Sequence, residues 1–285
     1  MSKILIASDS TCDLTPELLE QHDIKILPLG VTLGEKTYKD GVDVDPDMIY
    51  AYYEENKSLP KTSAVNIAEF TEFFKQYTER GYEIIFFTIS ALMSATYHNA
   101  CLAAEDFKGV YVVDTKNLST GNGLLLLSAY GMIQDGLTAA EIAAECERLT
   151  DYVSASFVID SLEFLHKGGR CSTLAAFGAN LLKLKPCIVV RNGKMGVSKK
   201  YRGAFGKVLR EYIKDQLEDH SDIDLSRVFV THAGCDEAIV NACVEDVKAL
   251  APFKELHITR AGCTISSHCG RNTLGVLFIK KTPLA

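Results

Sequence analysis

Glu83–Ile89 (EIIFFTI) and Val110–Asp114 (VYVVD) are two short apolar runs, and each is followed by a longer segment, Ala95–Asp106 and Gly121–Gln134. Short apolar runs of this kind predict buried strands, whereas the longer segments predict helices. Strands that alternate with helices form a parallel sheet with helices on both of its faces. This stretch therefore predicts a doubly wound α/β domain.

The flanking sequence extends the same pattern in both directions. Ile4–Ala7 predicts a further strand, which ends in the polar turn Ser8–Thr11. A polar residue before a helix, followed by proline at once or by glutamate three residues later, predicts an N-terminal cap. Three further helices are predicted in this way: from Asp45-Pro46 to about Asn56, from Asn66 with Glu69 to a point before Gly81, and from Thr138 with Glu141 to about Thr150.

After about residue 152 the pattern changes. Asn192-Gly193 is a strong signal for a two-residue β-hairpin turn. A long helix is predicted over about Ala204–Asp219, and another begins near Asp236. The predicted strands of this half are Ser154–Ile159, Pro186–Arg191, Lys194–Tyr201, Val228–Ala233, Lys254–Arg260 and Leu274–Lys281. We therefore expect two α/β domains, residues 1–152 with a mainly parallel sheet and residues 153–285 with a mixed sheet.

The charge of the chain limits its partners. It has 285 residues and a formal net charge of −7, from 37 acidic and 30 basic side chains. General binding to nucleic acid needs a basic surface that displaces counterions, so we expect no nucleic-acid partner. An anionic ligand would have to be held by local groups.

The cysteine pattern and the N-terminus indicate a cytoplasmic protein. The nine cysteines are scattered, odd in number and include no Cys-x-x-Cys pair, which favours buried, reduced thiols. Met1–Ile6 leads directly into a predicted strand, so we expect no signal peptide. No apolar run approaches the length of about 20 residues that spans a bilayer, so we expect no stable membrane insertion.

Hydroxyl-rich loops follow the predicted strands of the first half. They cover residues 9–14, 90–97 and 115–123, and a fourth loop, residues 60–63, precedes the helix that begins at Asn66. Ligands of open α/β sheets bind beyond the carboxyl ends of the strands, where such loops can hold an anion. Plain helix capping requires the same residues and is the alternative. The second half adds three polar motifs: Leu165–Arg170, Tyr201–Gly203 and Ser266–Arg271.

Taken in order, these segments resemble the DegV family. The resemblance spans nearly the whole chain, in the family's order and approximate spacing. The matching pieces are Asp9-Ser10 with Asp13-Leu14, Thr62-Ser63, Ser94 with Thr96-Tyr97, Asp114-Thr115 with Ser119, Gly121 and Gly123, Lys167–Arg170, Arg202-Gly203, and His268 with Gly270 and Leu274-Gly275.

The resemblance implies a two-domain architecture that encloses one long-chain fatty acid in a tunnel between the domains. By position, Thr62 and Ser94 match hydroxyls that hold the carboxylate, and His268 matches a histidine close to that head group. Arg170 and Arg202 match basic positions involved with a phosphorylated product or a kinase partner. Some members resemble the fatty-acid-binding subunit of bacterial fatty acid kinase, which presents the carboxylate to a separate ATP-dependent subunit. No cofactor and no activity of the chain alone are implied.

The chain departs from the family pattern after the histidine. Gly-Pro-Gly is common there, whereas this chain has Gly270-Arg271-Asn272, which would add the positive charge of Arg271 near the head group. Apolar side chains that are candidates for the tunnel wall, with ordinary core packing as their alternative, are Leu92, Phe164, Leu165, Phe177 and Leu181.

Three other functions compete with a fatty acid carrier. A serine hydrolase would use Ser94 as nucleophile and His268 as base, but no Gly-x-Ser-x-Gly elbow surrounds Ser94. A metal site could combine Cys263, His268 and Cys269, although this set has no clear fourth ligand. An autonomous kinase would need a nucleotide loop, and the Gly-x-x-x-x-Gly-Lys pattern is missing from the sequence.

Overall fold

A computed structural model describes residues 3–171 and 184–284 of the chain. The strands are β1 (Lys3–Asp9), β2 (Lys25–Leu27), β3 (Gly30–Leu33), β4 (Lys36–Lys39), β5 (Lys61–Ser63), β6 (Tyr82–Thr88), β7 (Val110–Asp114), β8 (Val153–Ile159), β9 (Lys185–Arg191), β10 (Lys194–Tyr201), β11 (Ile223–Ala233), β12 (Glu255–Arg260) and β13 (Thr273–Lys280).

The α-helices are α1 (Pro16–Gln21), α2 (Pro46–Asn56), α3 (Ile67–Thr78), α4 (Thr96–Ala104), α5 (Thr120–Gln134), α6 (Ala139–Leu149), α7 (Glu163–Gly168), α8 (Phe205–Leu217), α9 (Glu237–Leu250) and α10 (Cys263–Cys269). Short 3₁₀ helices cover Ser10–Cys12 and Thr150–Tyr152.

The first sheet is parallel throughout, with the strand order β2-β1-β6-β7. Successive residues of a strand face opposite sides of its sheet. Ile84 and Phe86 of β6 accordingly pack with α3 and α4, whereas Ile85 and Phe87 pack with α5 and α6. Helices therefore cover both faces, and the predicted doubly wound architecture is confirmed.

The predicted helix caps of this half are present. Asp45 accepts a hydrogen bond from the Met48 backbone N–H at the start of α2. Asn66 with Glu69, and likewise Thr138 with Glu141, form complete capping boxes at the starts of α3 and α6. These starts are specified locally, because each box satisfies two backbone N–H groups within one turn.

The second sheet has six strands in the order β10-β9-β8-β13-β11-β12. All neighbours are antiparallel except β11 and β12, so the predicted mixed sheet is confirmed. Asn192 and Gly193 both have positive φ angles, 48° and 77°, as a two-residue hairpin turn between β9 and β10 requires. Helices α8 and α9 cover the outer face of this sheet.

Helix α5 lies between the two sheets. Leu124, Leu125 and Leu126 are fully buried, and their hydrophobic cluster includes Phe87 of the first sheet and Phe157 of the second. A helix that is apolar on all sides must be buried on all sides. The two halves of the molecule therefore share a central apolar layer.

Two elements near this junction were not expected from the sequence. A third sheet, of order β4-β3-β5, places Thr62 on a short strand, although the sequence analysis assigned it to a loop. Helix α10 is the other, since residues 263–269 showed no helical pattern. Strand β8 begins at Val153, and the proposed domain boundary at 152/153 stays a prediction.

Within residues 3–171 and 184–284, no helix combines the length and the apolar character needed to cross a membrane. All nine cysteines lie in these ranges, and no disulfide joins them.

Candidate functional site

A cavity of about 220 Å³ lies between the N-terminal and C-terminal halves of the chain. Thr62 and Ser94 line it from the N-terminal half, and Arg170 and His268 line it from the C-terminal half. The structure therefore brings together four of the five site residues suggested by the sequence. Most of the remaining wall is apolar, from Leu29, Ile89, Met93, Leu118, Met195 and Ile265.

Thr62 and His268 form a pair across the junction. Thr62 lies in β5, where it is held opposite Val31 of β3. His268 lies in the last turn of α10, and its Nε2 is 2.9 Å from Thr62 Oγ1. Two residues 206 positions apart thus meet at the cavity wall.

The electrostatics of the site keep His268 neutral. Burial lowers the pKa of His268 to about 4, and the positive charge of Arg170 lowers this pKa further in the same direction. Removing an imidazolium from water and placing it near a cation both penalise its charged form. Its second ring nitrogen, Nδ1, is buried and has no hydrogen-bond partner among the described residues.

Ser94 lies just before α4, after the end of β6. Its Oγ accepts a hydrogen bond of 3.3 Å from the Thr96 N–H and is 2.9 Å from Thr96 Oγ1. Ser94 therefore satisfies the first backbone N–H of α4, although the N-cap position itself is Ala95, and it also lines the cavity. One hydroxyl can serve both purposes, because it offers one donor and two acceptor positions.

The cavity continues inward. A second space of about 30 Å³ shares Leu118, Ile265 and Cys269 with the first, and Phe157 and Leu277 of the second sheet also line it. The two spaces therefore adjoin, and the second one adds mainly apolar surface. Such a shape suits a narrow ligand with one polar end and an apolar body.

Outward, the cavity opens at a basic surface. A space of about 460 Å³ shares Thr62, Arg170 and His268 with the cavity and is also lined by Lys61 and Lys167. Lys167 makes an exposed ion pair of 2.7 Å with Glu163, one helical turn earlier in α7. The polar end of a ligand would face this opening.

Arg202 and Arg271 lie apart from the cavity. Arg202 is exposed just after β10 and lines none of these three spaces, so its role stays a prediction. Arg271 stacks over the Tyr50 ring at 4.7 Å, and its Nε lies 3.9 Å from Glu54. The expected positive charge of Arg271 at the head group is therefore wrong, because the turn after α10 directs this side chain toward α2.

The three described candidates for the tunnel wall, Leu92, Phe164 and Leu165, do not line the cavity. Leu92 is 61% exposed, whereas Phe164 and Leu165 are buried and lie outside the three spaces described above. For Phe164 and Leu165, core packing is the role that the structure supports. Phe177 and Leu181 lie outside the described residues.

Acidic side chains of the N-terminal half hold the start of α10. Asp40 Oδ1 accepts from the Cys263 N–H at 2.8 Å, and Asp40 Oδ2 accepts from the Thr264 N–H at 3.0 Å. Asp13 Oδ1 accepts from the Gly262 N–H at 2.8 Å. These carboxyl groups satisfy backbone donors that a helix start leaves without partners. They thereby position the helix that carries His268.

Several residues of this region carry no signal in the sequence that predicts their role. Asp40 received no role, because its partners in α10 lie more than 220 positions away and no local pattern reports them. Thr264 and Ser267 also received none, although Thr264 lines the cavity and Ser267 lines the outer opening. Among the motif residues, Asp13 matched the family pattern without an assigned function.

The geometry gives little support to a serine hydrolase or to a metal site. The hydroxyl of Ser94 bonds to Thr96 and the ring of His268 bonds to Thr62, and no hydrogen bond joins Ser94 to His268. No carboxylate among the described residues orients His268, because its Nδ1 has no partner there. The same part of the chain contains no group of three or more histidine, cysteine or acidic side chains arranged to hold a metal ion.

Comparison with known proteins identifies the family. A family model described as "Uncharacterised protein, DegV family" matches residues 3–281. A DegV domain-containing protein of Clostridium acetobutylicum is 32% identical over 283 residues, covering 99% of this chain and 100% of the relative.

Two solved structures have the same fold over nearly their whole length. A fatty-acid-binding DegV family protein from Thermus thermophilus has a TM-score of 0.87 and 29% identity, covering 98% of this chain and 99% of its own. A stearic acid-binding protein from Eubacterium ventriosum has a TM-score of 0.84 and 28% identity, covering 99% of both chains. The chain therefore belongs to the DegV family.

Proposed function

We propose that this protein binds one long-chain fatty acid, with the carboxylate at Thr62 and Ser94 and the tail in the apolar cavity between the two halves of the chain. The observation that carries the proposal is the cavity itself, in which the hydroxyl residues Thr62 and Ser94 share the wall with mostly apolar side chains. The Thermus thermophilus and Eubacterium ventriosum relatives are described as fatty-acid-binding and stearic acid-binding proteins, which supports the same ligand class here.

The hydrogen bonds around the cavity suit an ionised carboxylate. We assign the proton of neutral His268 to Nε2, which then donates to Thr62 Oγ1 and leaves the Thr62 hydrogen for the ligand. Ser94 Oγ accepts from the Thr96 N–H, so its own hydrogen is also available when the Thr96 hydroxyl donates to it. A buried carboxylate needs such donors to offset its desolvation.

The tail supplies most of the affinity. Each buried CH₂ contributes roughly 0.8 kcal/mol, so a chain of about 16 carbons contributes on the order of 12 kcal/mol before the cost of ordering it. Two neutral hydroxyls hold the head group more weakly than a bidentate arginine would. The carboxylate therefore remains reactive while the tail keeps the ligand in place.

Lipid extraction tests this proposal. The protein purified from bacterial cells should release about one long-chain fatty acid per chain on denaturation, measured by mass spectrometry of the extract. Thr62→Ala and Ser94→Ala should each bind the lipid roughly tenfold or more weakly and therefore retain less of it, since a hydrogen bond to a charged group contributes about 1.5–3 kcal/mol. Full retention in both variants would contradict the site.

Matched controls come from hydroxyl groups of similar exposure elsewhere. Thr78 ends α3 and Ser128 lies within α5, and each donates to a backbone carbonyl of its own helix. Thr78→Ala and Ser128→Ala should retain lipid at the level of the unsubstituted protein.

We further propose that the protein presents the bound carboxylate to a separate ATP-dependent kinase subunit, which makes an acyl phosphate for phospholipid synthesis in the cytoplasm. The basic opening formed by Lys61, Lys167 and Arg170 supports this role, because an acyl phosphate carries more negative charge than the carboxylate. Arg202 is exposed and outside the cavity, which suits contact with a partner protein.

A coupled assay tests the kinase partnership. The lipid-loaded protein alone should turn over no ATP, whereas addition of the ATP-binding subunit of a bacterial fatty acid kinase should yield acyl phosphate, detected as a hydroxamate. Arg202→Ala should slow this transfer and leave lipid retention unchanged. A rate equal to that of the unsubstituted protein would remove Arg202 from the proposed contact.

A further inference from the structure

Helix α10 carries two buried hydroxyl groups without partners. Thr264 Oγ1 and Ser267 Oγ have no hydrogen-bond partner among the described residues. Thr264 is only 4% exposed and lines the cavity, whereas Ser267 lines the outer opening. Buried polar groups are almost always hydrogen-bonded, so an unpartnered hydroxyl on a residue that lines a cavity is a candidate donor to a ligand.

A hydrogen bond from its backbone holds Thr264 in position. Its backbone N–H donates to Asp40 Oδ2 at 3.0 Å, which holds this turn of α10 in place. Thr264 precedes His268 by four residues, so the two side chains lie on the same face of the helix. The Thr264 backbone N–H thus has a partner and its hydroxyl has none. This side chain lies on the face of α10 that also carries His268, which pairs with Thr62.

We infer that Thr264 is a third hydroxyl donor to the head group of the bound ligand. An ionised carboxylate has about four acceptor positions on its two oxygens, and Thr62 and Ser94 occupy two of them. Thr264 lies inside the opening and does not reach the inner space, so it is placed near the polar end of the ligand. This inference rests on the proposed fatty acid binding.

Comparing an acid with its alcohol separates this role from a packing role. Affinities of delipidated protein for palmitic acid and for 1-hexadecanol are measured by calorimetric titration at pH 8, for the unsubstituted protein and for Thr264→Val. Valine has nearly the shape of threonine and retains the backbone N–H that Asp40 binds. We expect Thr264→Val to weaken palmitic acid roughly tenfold or more and to change hexadecanol affinity less than threefold.

Two further variants complete the design. Thr264→Ser keeps the hydroxyl and should bind palmitic acid within threefold of the unsubstituted protein. Thr88→Val changes a fully buried threonine that lines none of the three spaces, and it should leave both affinities unchanged. Should Thr264→Val fail to fold, Thr264→Ala with the same two ligands takes its place.

The outcomes distinguish the two proposals. Unchanged palmitic acid affinity in Thr264→Val, or an equal loss for palmitic acid and hexadecanol, would overturn the assignment of Thr264. Failure of the unsubstituted protein to bind palmitic acid would instead overturn the proposed function.

Discussion

Asp13 is a carboxyl group buried where the N-terminal half meets α10. Its Oδ1 accepts from the Gly262 N–H, and its Oδ2 accepts from the Ser119 hydroxyl at 2.5 Å. Burial raises the pKa of Asp13 to about 8, and the nearby charges of Asp40 and Asp9 raise this pKa as well. The hydrogen bonds from Ser119 and Gly262 act in the opposite direction and are outweighed. Asp13 is therefore largely protonated in the folded protein at neutral pH.

The raised pKa of Asp13 predicts that the stability of the folded protein depends on pH. The pKa of Asp13 is about 8 in the folded protein, against the ordinary 3.8 that applies to the unfolded chain. The folded state thus binds a proton that the unfolded state loses above pH 4, so stability is full below that pH and declines as the pH rises toward 8. We expect the melting temperature to fall between pH 5 and 8 more steeply in the unsubstituted protein than in Asp13→Asn, measured by differential scanning calorimetry.

The asparagine variant is informative because it resembles the protonated acid in size and cannot ionise. Asp9, whose pKa is raised to about 6 by burial, titrates in both proteins and so largely cancels from the comparison. Asp43→Asn, at an exposed position, serves as the control and should show the slope of the unsubstituted protein. Parallel melting curves for Asp13→Asn and the unsubstituted protein would contradict a protonated Asp13.

At the scale of elements, the sequence predicts those whose ends are specified by neighbouring residues. The capping boxes of α3 and α6 join residues three apart, and the Asn192-Gly193 turn specifies the β9–β10 hairpin within two residues. Each of these signals acts over one turn of chain, so it can be read without tertiary contacts. The alternation of strands and helices extends this local information to the doubly wound sheet.

Helix α10 and strand β5 were missed for the opposite reason. The seven residues of α10 make too short a helix to be stable alone, and the carboxyl group of Asp40 that holds its start comes from a distant part of the chain. Strand β5 has three residues and pairs with β3, about 30 positions earlier. Both elements exist because of tertiary contacts, and they carry His268 and Thr62.

The residues of the candidate site likewise divide into those that the sequence indicates and those that only tertiary contacts reveal. Thr62, Ser94 and His268 were named because their motifs follow the family order, and the structure brings all three to one cavity. Thr264 has no motif of its own, and its significance depends on a hydroxyl that lacks a partner in three dimensions. Arg271 was misplaced because the turn after α10 determines its direction, and that turn could not be read from the residue types.

At the scale of the whole molecule, three apolar layers follow one another. An outer layer of the N-terminal half contains Phe70, Phe74 and Phe86, and an outer layer of the C-terminal half contains Tyr212 and Val276. Between them, α5 joins both sheets in a single cluster. The candidate ligand cavity lies in the same junction, so a bound tail would add contacts to both halves.

This arrangement predicts that the two halves unfold together. Chains of several domains often unfold in separate steps, but separation here would expose the apolar surface of α5 on at least one side. We expect one calorimetric transition, with equal calorimetric and van't Hoff enthalpies, for the delipidated protein. Added palmitic acid should raise the temperature of that single transition, because the ligand binds only the folded state.

Paired substitutions in the two outer layers test this coupling. Phe86→Leu reduces packing against Phe70 and Phe74, whereas Tyr212→Phe removes the hydroxyl that accepts from the Val276 N–H and donates to the Ser156 carbonyl. A loss of about 1 kcal/mol lowers the melting temperature of a chain of this size by roughly 2–4 °C. Each variant should shift the whole transition by about this amount, because the central layer transmits the loss to both halves. If Phe86→Leu moved one transition and Tyr212→Phe moved another, α5 would belong to one half only, and the halves would be separate folding units.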